Sequence, residues 1–232
     1  MENFLAKLYG LCRFLCRQMC DDNIVILQKR HIIIQMLNNM KAILLAAGFS
    51  SRMGTLKQIM PIEGKPMIYQ AAEPFVSSGL ELLVVLGHKH QRVQEALGSL
   101  PCRVLINPSP EDGMFSSVRL GCQAVPLGEP CLLSTCDCPG VAPHTIRMVQ
   151  ETLLEEQDHV IIPTYRGRRG HPVGLPAFLV ERVHALPPET PGLNSLWRKS
   201  PEMVVHFNVY DPAVLRDLDR REDVEKLQES CF

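Results

Sequence analysis

The chain has 232 residues, 46% of them hydrophobic and 21% charged, which is typical of a globular protein with one full core. Its net charge of −1 indicates neither a nucleic-acid surface nor a polybasic membrane patch, so we expect no nucleic acid and no membrane as partners. The nine cysteines include no C-x-x-C pair. Reduced thiols in a cytoplasmic protein are their simplest interpretation.

Residues 1–39 are the first segment with a pattern of their own. Apolar residues recur at helical spacing beside a stripe of cysteines: Phe4, Leu8, Leu11, Leu15 and Met19, then Cys12, Cys16 and Cys20. Three thiols without a fourth ligand make an incomplete zinc site, and no apolar run reaches the ~20 residues of a membrane-spanning helix. We expect an N-terminal extension outside the core over 1–39 and a domain over 40–232, with Met40 as the natural start.

From Met40 onward, short apolar runs alternate with segments of helical periodicity. Strands are predicted at 42–45, 82–86, 103–106, 131–135 and 160–163, and helices at 67–77, 91–97, 116–124, 143–154, 177–186 and 222–228. Short, wholly apolar strands separated by helices are typical of a mostly parallel sheet covered on both faces. The predicted fold is therefore α/β, three-layered, doubly wound and Rossmann-like, with ligands beyond the carboxyl ends of the strands.

The first predicted strand ends in a loop suited to a triphosphate. Small residues let backbone N–H groups approach phosphate oxygens, and a helix beginning after the loop would add its positive end. Arg52 offers a planar fork for phosphate, and Lys57 offers a mobile charge. The predicted nucleotide-binding residues here are Leu45, Ala46, Ala47, Gly48, Ser50, Arg52, Met53, Gly54 and Lys57. The alternative is an ordinary strand-to-helix turn with surface cations, since the loop matches neither the dinucleotide fingerprint nor the P-loop.

Asp137 follows the predicted strand 131–135 and lies close to Pro139 in the sequence. An acidic residue at the end of a strand suits Mg²⁺, which takes one or two protein carboxylates and completes its shell with water and phosphate oxygens. The competing interpretation is an aspartate that shapes a turn or caps a helix.

In these motifs the chain resembles the MobA-like NTP transferases, nucleotidyltransferases related to those that activate sugars, isoprenoid precursors and molybdopterin. The matching motifs are L-A-A-G-x-S-x-R-M-G at 45–54 with Lys57, L-G-H at 86–88, N-P at 107–108, G-M-F-S-S-V at 113–118, D-x-P at 137–139, G-H-P-V at 170–173 and D-L-D at 217–219. The resemblance covers about 40–228. Ala47, where guanylyltransferase relatives usually carry glycine, resembles the cytidylyltransferases of the molybdenum cofactor.

The resemblance implies that a second carboxylate, Asp219, shares the metal with Asp137. On a strand Asp217 and Asp219 would face opposite ways, so only one should point at the ion, and we favour Asp219. An ion pair with one of the next two residues, both arginines, is the alternative for Asp219. Cys136 and Cys138 depart from the family pattern around Asp137.

The resemblance also implies where the base and the acceptor bind. Gly113 and Ser117 would hold the cytosine, although a serine at 116 or 117 could instead cap the predicted helix. The implied acceptor-binding residues are Arg168, Arg169, Gly170, His171 and Pro172. A solvated basic hairpin is the alternative for this stretch. We interpret His88 as a structural histidine.

The implied reaction is transfer of CMP from CTP to the phosphate of molybdopterin or the Mo-cofactor, with release of pyrophosphate. Its catalytic residues would be Arg52, Lys57 and Asp137, with Mg²⁺ held by Asp137 and Asp219. An acceptor phosphate is already ionised at pH 7, so the chemistry needs positioning and charge neutralisation rather than a general base.

Other activities are compatible with the same motifs. Within the class these are a transferase that uses GTP, or one that uses a sugar or alditol phosphate as acceptor. Outside it, the chain could be a non-catalytic carrier that serves a molybdenum hydroxylase client. A dinucleotide-binding oxidoreductase is disfavoured, because the sequence contains no G-x-G-x-x-G.

Overall fold

The structure is a computed structural model that describes residues 37, 40–50, 55–187 and 189–229. The chain divides into two units, Met1–Asn39 and Met40–Phe232, and everything below concerns the second. The predicted extension over 1–39 lies outside the described residues except for residue 37, so it stays a prediction. None of the helices in the described ranges combines the length and apolar character needed to cross a bilayer.

Ten strands and six α-helices follow one another in the described part of this unit. The strands are β1 (Lys41–Ala46), β2 (Pro61–Ile62), β3 (Lys65–Pro66), β4 (Glu81–Leu86), β5 (Arg103–Ile106), β6 (Cys131–Thr135), β7 (Val160–Tyr165), β8 (Arg168–Arg169), β9 (Val173–Leu175) and β10 (Val204–Asn208). The helices are α1 (Met67–Ser77), α2 (His90–Leu97), α3 (Met114–Gln123), α4 (Pro143–Glu155), α5 (Ala177–Ala185) and α6 (Arg221–Glu229).

Eight strands form one sheet, in the order β10-β7-β9-β6-β1-β4-β5, with β8 paired to β7. Strands β6, β1, β4 and β5 are parallel neighbours, and β10 is parallel to β7. Strand β9 runs antiparallel between β6 and β7. The carboxyl ends of β1, β4, β5, β6, β7 and β10 therefore meet at one edge, called the carboxyl edge below.

The alternation of side chains along β1 divides the core into two layers. Ala42 and Leu44 face a cluster built with α1, α2 and α4, whereas Ile43 and Leu45 face a cluster built with α3 and α5. All four side chains are buried, as expected for a central strand covered on both faces. This confirms the predicted three-layer α/β fold.

A third, smaller cluster attaches the end of the described chain to the hairpin after the first loop. Ile62 in β2 and Met67 in α1 pack against Leu218 and Val224, the latter in α6. This contact brings the D-L-D segment at 217–219 back to the carboxyl edge.

Candidate active site

A buried glutamine holds the loop after β1 in place by hydrogen bonds. Gln58 is fully buried, and its Nε2 donates to the carbonyl oxygens of Ala46 (3.1 Å) and Gly48 (2.8 Å). Its Oε1 accepts from the hydroxyl of Ser50 at 3.0 Å. In a trans peptide the C=O and the following N–H point in opposite directions. The N–H groups of Ala47 and Phe49 are therefore turned away from Gln58, as anion binding by this loop requires.

Sequence reasoning missed Gln58, although it directly follows Lys57. Residues 51–54 lie outside the described residues, so the predictions for Arg52, Met53 and Gly54 stay predictions. Between residues 55 and 66, all of which the structure describes, no α-helix follows the loop, so none adds its positive end there. Lys57–Ile59 form a 3₁₀ turn, and α1 begins only at Met67.

Lys57 joins the loop to the acidic residues. Its backbone N–H donates to the hydroxyl of Ser50 at 3.0 Å, so both Lys57 and Gln58 hold Ser50, which adopts a left-handed φ of 55°. Its Nζ lies 2.7 Å from Asp137 Oδ2 and 2.7 Å from Asp219 Oδ1. The predicted catalytic lysine and both predicted metal ligands thus lie together at the carboxyl edge.

Asp217 also belongs to this group, contrary to the expectation that only one of the two flanking aspartates would face it. Asp137, Asp217 and Asp219 each offer an oxygen atom, and the three atoms lie within 4.8 Å of one another. The alternation argument failed because residues 216–219 are irregular rather than a strand. The backbone N–H of Leu218 donates to the carbonyl of Asp137 at 3.0 Å, which fixes the two segments side by side.

The electrostatics of this carboxylate cluster favour a cation. Burial lowers the pKa of Lys57, but the charge of Asp137 and hydrogen bonds to Asp137 and Asp219 outweigh it and hold the pKa above its ordinary value. Lys57 is therefore a charged ammonium at neutral pH. Burial and the charges of Asp137 and Asp219 raise the pKa of Asp217. Three carboxylates against one ammonium leave an excess of negative charge.

The two cysteines that depart from the family pattern are structural. Cys136 and Cys138 are both buried, and burial raises the pKa of each thiol to about 12, with the charge of Asp137 adding to the effect. The Sγ of Cys138 donates to the carbonyl of Ala213 at 3.3 Å. The thiols are protonated groups that pack the turn carrying Asp137 against the chain leading to Asp217.

Gly87, which follows β4, lets its loop approach the loop after β1. A Cβ at this position would lie 2.7 Å from the carbonyl oxygen of Ala47 and 3.0 Å from its Cβ, so any larger residue would displace the loop. The next residue, His88, was interpreted as a structural histidine. Its side chain is exposed, and its ring lies 5.4 Å from the ring of Phe49.

The segment predicted to hold the base is also organised by a buried polar residue, as the loop after β1 is by Gln58. The Nδ2 of Asn107 donates to the hydroxyls of Ser116 (2.8 Å) and Ser117 (2.9 Å), and Asn107 and Ser117 are buried. Neither serine caps α3, because Gly113 occupies the N-cap, with a φ of 92°. The capping alternative is therefore wrong. Asn107 was part of a motif but was not predicted as a site residue.

The predicted acceptor side is a hairpin followed by a tightly packed turn. Strands β7 and β8 enclose Arg166 and Gly167, both with left-handed φ, and Arg168 and Arg169 are exposed. The next residue, Gly170, approaches Val214 so closely that a Cβ would lie 2.4 Å from its carbonyl oxygen. The exposed residues 166–169 thus form a solvated hairpin, as in the alternative interpretation, whereas Gly170 and Pro172 are buried, and the predicted binding of an acceptor here stays a prediction.

His171 and Pro172 connect this hairpin to β9 by a cis peptide bond. The backbone N–H of His171 donates to the carbonyl of Val214 at 2.9 Å. Burial lowers the pKa of its imidazole, while the charges of Asp137 and Asp217 act in the opposite direction. The carboxylate cluster therefore acts electrostatically on His171. Its imidazole is neutral at pH 7.

These features define a three-layer α/β protein with a carboxylate cluster and an anion-compatible loop at the carboxyl edge of its sheet. Residues 42–204 match the MobA-like NTP transferase domain. The chain therefore belongs to the MobA-like NTP transferase family.

Two individual relatives are similar to the chain over more than half of its length. The chain is 27% identical to nicotine blue oxidoreductase of Paenarthrobacter nicotinovorans over 80% of its own length and 94% of the relative. It is 28% identical to molybdenum cofactor cytidylyltransferase of Escherichia coli, over 56% of its own length and 67% of the relative.

A solved structure agrees on the fold. The protein Rv0371c of Mycobacterium tuberculosis superposes with a TM-score of 0.72 at 24% identity, covering 82% of this chain and 97% of that one. Its complex with manganese gives a TM-score of 0.69 at 22% identity, covering 83% and 99%.

Proposed function

We propose that this protein transfers CMP from CTP to the phosphate of molybdopterin or the Mo-cofactor and releases pyrophosphate. The observation that carries the proposal is the meeting of Lys57, the carboxylate cluster and the Gln58-supported loop at one sheet edge. Family membership supports nucleotidyl transfer. Ala47 and the relative named a cytidylyltransferase favour CTP and this acceptor over GTP or a sugar or alditol phosphate.

The donor set of the carboxylate cluster fits Mg²⁺. A hard divalent cation prefers oxygen ligands, and Asp137, Asp217 and Asp219 offer three carboxylate oxygens within 4.8 Å of one another, of which Mg²⁺ needs only one or two. A solved relative with the same fold is a manganese complex, which supports a divalent ion here. When bound, the ion would neutralise charge on the triphosphate and polarise its α-phosphate. Lys57 already pairs with two of these carboxylates, so a bound ion would compete with it and free its ammonium for the phosphates.

The protein's own residues would act by orientation and charge. The N–H groups of the loop after β1 and the Lys57 ammonium would bind the β- and γ-phosphates and stabilise the pyrophosphate as it leaves. An acceptor phosphate oxygen would attack the α-phosphorus, forming one P–O bond as the bond to the β-phosphate bridging oxygen breaks. Because the attacking phosphate is already ionised, no residue needs to remove a proton.

A second candidate is an oxidoreductase, because the relative that matches 80% of the chain bears that name. The absence of G-x-G-x-x-G from the sequence argues against a dinucleotide in the usual Rossmann position. A non-catalytic carrier is the third candidate, and the retained Lys57 and carboxylates argue against loss of turnover.

The test is pyrophosphate release with each of the four NTPs, with and without molybdopterin, in the presence of Mg²⁺. We expect release only with CTP and molybdopterin together. Asp137→Ala should lower turnover by ~100-fold or more, the scale of losing one electrostatic group. Glu151→Ala, which removes an exposed carboxylate from α4, should not change it.

Each other outcome contradicts the proposal in a recognisable way. Release with GTP would overturn the assignment of the nucleotide. Oxidation of NADH or NADPH without pyrophosphate release would favour the oxidoreductase. Retention of molybdopterin without any turnover would favour the carrier.

A further inference from the structure

A cleft lies beside the predicted acceptor turn, at the carboxyl ends of β7 and β10. It has a volume of about 440 Å³ and is lined by Thr164, Gly167, Arg169, His206 and Asn208. Sequence reasoning identified only Arg169 among these residues. We call it the β7–β10 cleft.

The lining residues favour a ligand rich in hydrogen-bond acceptors. None of the five is acidic, and Arg169 brings a permanent positive charge. The Oδ1 of Asn208 already accepts from the Thr164 hydroxyl at 2.7 Å, so the amide nitrogen of Asn208 is the group left to donate. Burial and the charge of Arg169 lower the pKa of His206, so its imidazole is neutral at pH 7.

The two arginines of β8 differ in their relation to the cleft. Arg168 and Arg169 are consecutive in a strand, so their side chains point to opposite faces. Only Arg169 lines the cleft. The resemblance implied that both arginines bind the acceptor, whereas the structure places only Arg169 at the cleft.

The cleft is joined to the carboxylate cluster by a short stretch of chain. From Arg169 to His171 there are two residue steps, at most about 7 Å of extended backbone. The backbone N–H of His171 and the Sγ of Cys138 both donate to the carbonyl of Val214, at 2.9 Å and 3.6 Å, and Cys138 directly follows Asp137. In the sheet, β7 lies two strand spacings from β6, which is about 10 Å. A molecule reacting beside Asp137 would need about this length to reach the cleft.

We propose that the β7–β10 cleft binds the end of the acceptor that is remote from its reacting phosphate. The acceptor is then a phosphate monoester about 10 Å long whose far end carries an oxyanion or carbonyl group, held by Arg169 and Asn208. This inference rests on the proposed function. It makes Arg169 a specificity-determining residue for the acceptor, with no role toward the nucleotide.

The test compares KM values for molybdopterin and CTP in Arg169→Ala and in a control. Arg166→Asn is the matched control: it removes one positive charge from the same hairpin, and asparagine tolerates the left-handed φ of 50° at this position. We expect Arg169→Ala to raise KM for molybdopterin about tenfold or more, on the scale of a charge-assisted hydrogen bond, and to change KM for CTP less than twofold. Arg169→Lys should recover part of the loss, and Arg166→Asn should change neither KM more than twofold.

Two results in this assay would overturn the proposal. One is equal behaviour of Arg169→Ala and Arg166→Asn. The other is a parallel rise of both KM values, which would mean a general disturbance of the site. An effect of Arg168→Ala as large as that of Arg169→Ala would also contradict the assignment of the cleft.

A binding measurement separates failure of this inference from failure of the proposed function. If no pyrophosphate is released, the proposed function fails, and the equilibrium affinity for molybdopterin, measured by fluorescence, tests the cleft alone. Weaker binding by Arg169→Ala but not by Arg166→Asn would support the cleft. Equal binding by all three proteins, or no binding by the wild type, would refute it.

Discussion

The two halves of the carboxyl edge are built differently. In the parallel half, formed by β6, β1, β4 and β5, the loops are held by buried polar side chains such as Gln58 and Asn107. In the mixed half, formed by β9, β7, β8 and β10, exposed side chains such as Arg169 and Asn208 lie at the same edge. The parallel half therefore has a preorganised geometry, and the mixed half an adjustable surface.

This difference matches the two roles in the proposed reaction. The triphosphate is the same in every NTP. A loop that is fixed by internal hydrogen bonds can therefore bind the triphosphate of any NTP without changing its shape. Acceptors differ between enzymes, and exposed side chains can be replaced without damage to the core. We therefore expect substitutions in the parallel half to affect nucleotide use and stability, and substitutions in the mixed half to affect acceptor use alone.

The largest effect should come from Lys57, where the loop and the carboxylate cluster meet. Lys57→Ala removes the ammonium that lies 2.7 Å from two carboxylates, and we expect turnover to fall by ~100-fold or more. Steady-state pyrophosphate release measures this. Lys65→Ala, in the hairpin just after the loop, removes an exposed lysine that lies over the Tyr69 ring and should leave turnover unchanged. Near-normal activity of Lys57→Ala would contradict the proposed mechanism.

Substitution of Gln58 should have a smaller effect, and this effect should be on the KM for the nucleotide. Gln58→Leu leaves the carbonyls of Ala46 and Gly48 without their donor, which should cost about 1–3 kcal/mol of unfolding free energy. If the loop loses its shape, KM for CTP should rise about tenfold, equivalent to about 1.4 kcal/mol. Gln58→Glu should not rescue it, because a carboxylate cannot donate to two carbonyls.

The matched control for this substitution is a second buried glutamine. Gln150 is 2% exposed and lies in α4, away from the loop in sequence. Gln150→Leu should lower stability in urea unfolding to a similar extent but leave KM for CTP unchanged. Equal changes in KM for the two variants would mean that Gln58 stabilises the fold without positioning the loop.

The sequence was sufficient for the central sheet because its strands are short, wholly apolar and flanked by periodic helices. The predicted strands 103–106 and 131–135 match β5 and β6 without any shift, and α1 matches its predicted range. The sequence did not predict every strand of the mixed half. Strand β9 is three residues long, contains Gly174 and runs antiparallel, so it has neither the length nor the pattern that predicts a strand.

The candidate site shows the same limit at the level of single residues. Lys57, Asp137 and Asp219 could be predicted because their charge types suggest phosphate and metal chemistry directly. Gln58 could not, since a glutamine in a loop carries no chemical signal until its two carbonyl partners are known. Asp217 was excluded because periodicity was applied to a segment that folds without regular structure.

The smallest effects on stability should occur in the mixed half. Arg168 and Arg169 are exposed on a two-residue strand, so Arg168→Ala and Arg169→Ala should each change the free energy of unfolding by less than about 0.5 kcal/mol. Urea unfolding beside Gln58→Leu measures the contrast. A loss in either arginine variant as large as that of Gln58→Leu would mean that the hairpin supports the fold. With the expected result, any change in acceptor KM for Arg169→Ala is a property of binding, because the scaffold beneath it is intact.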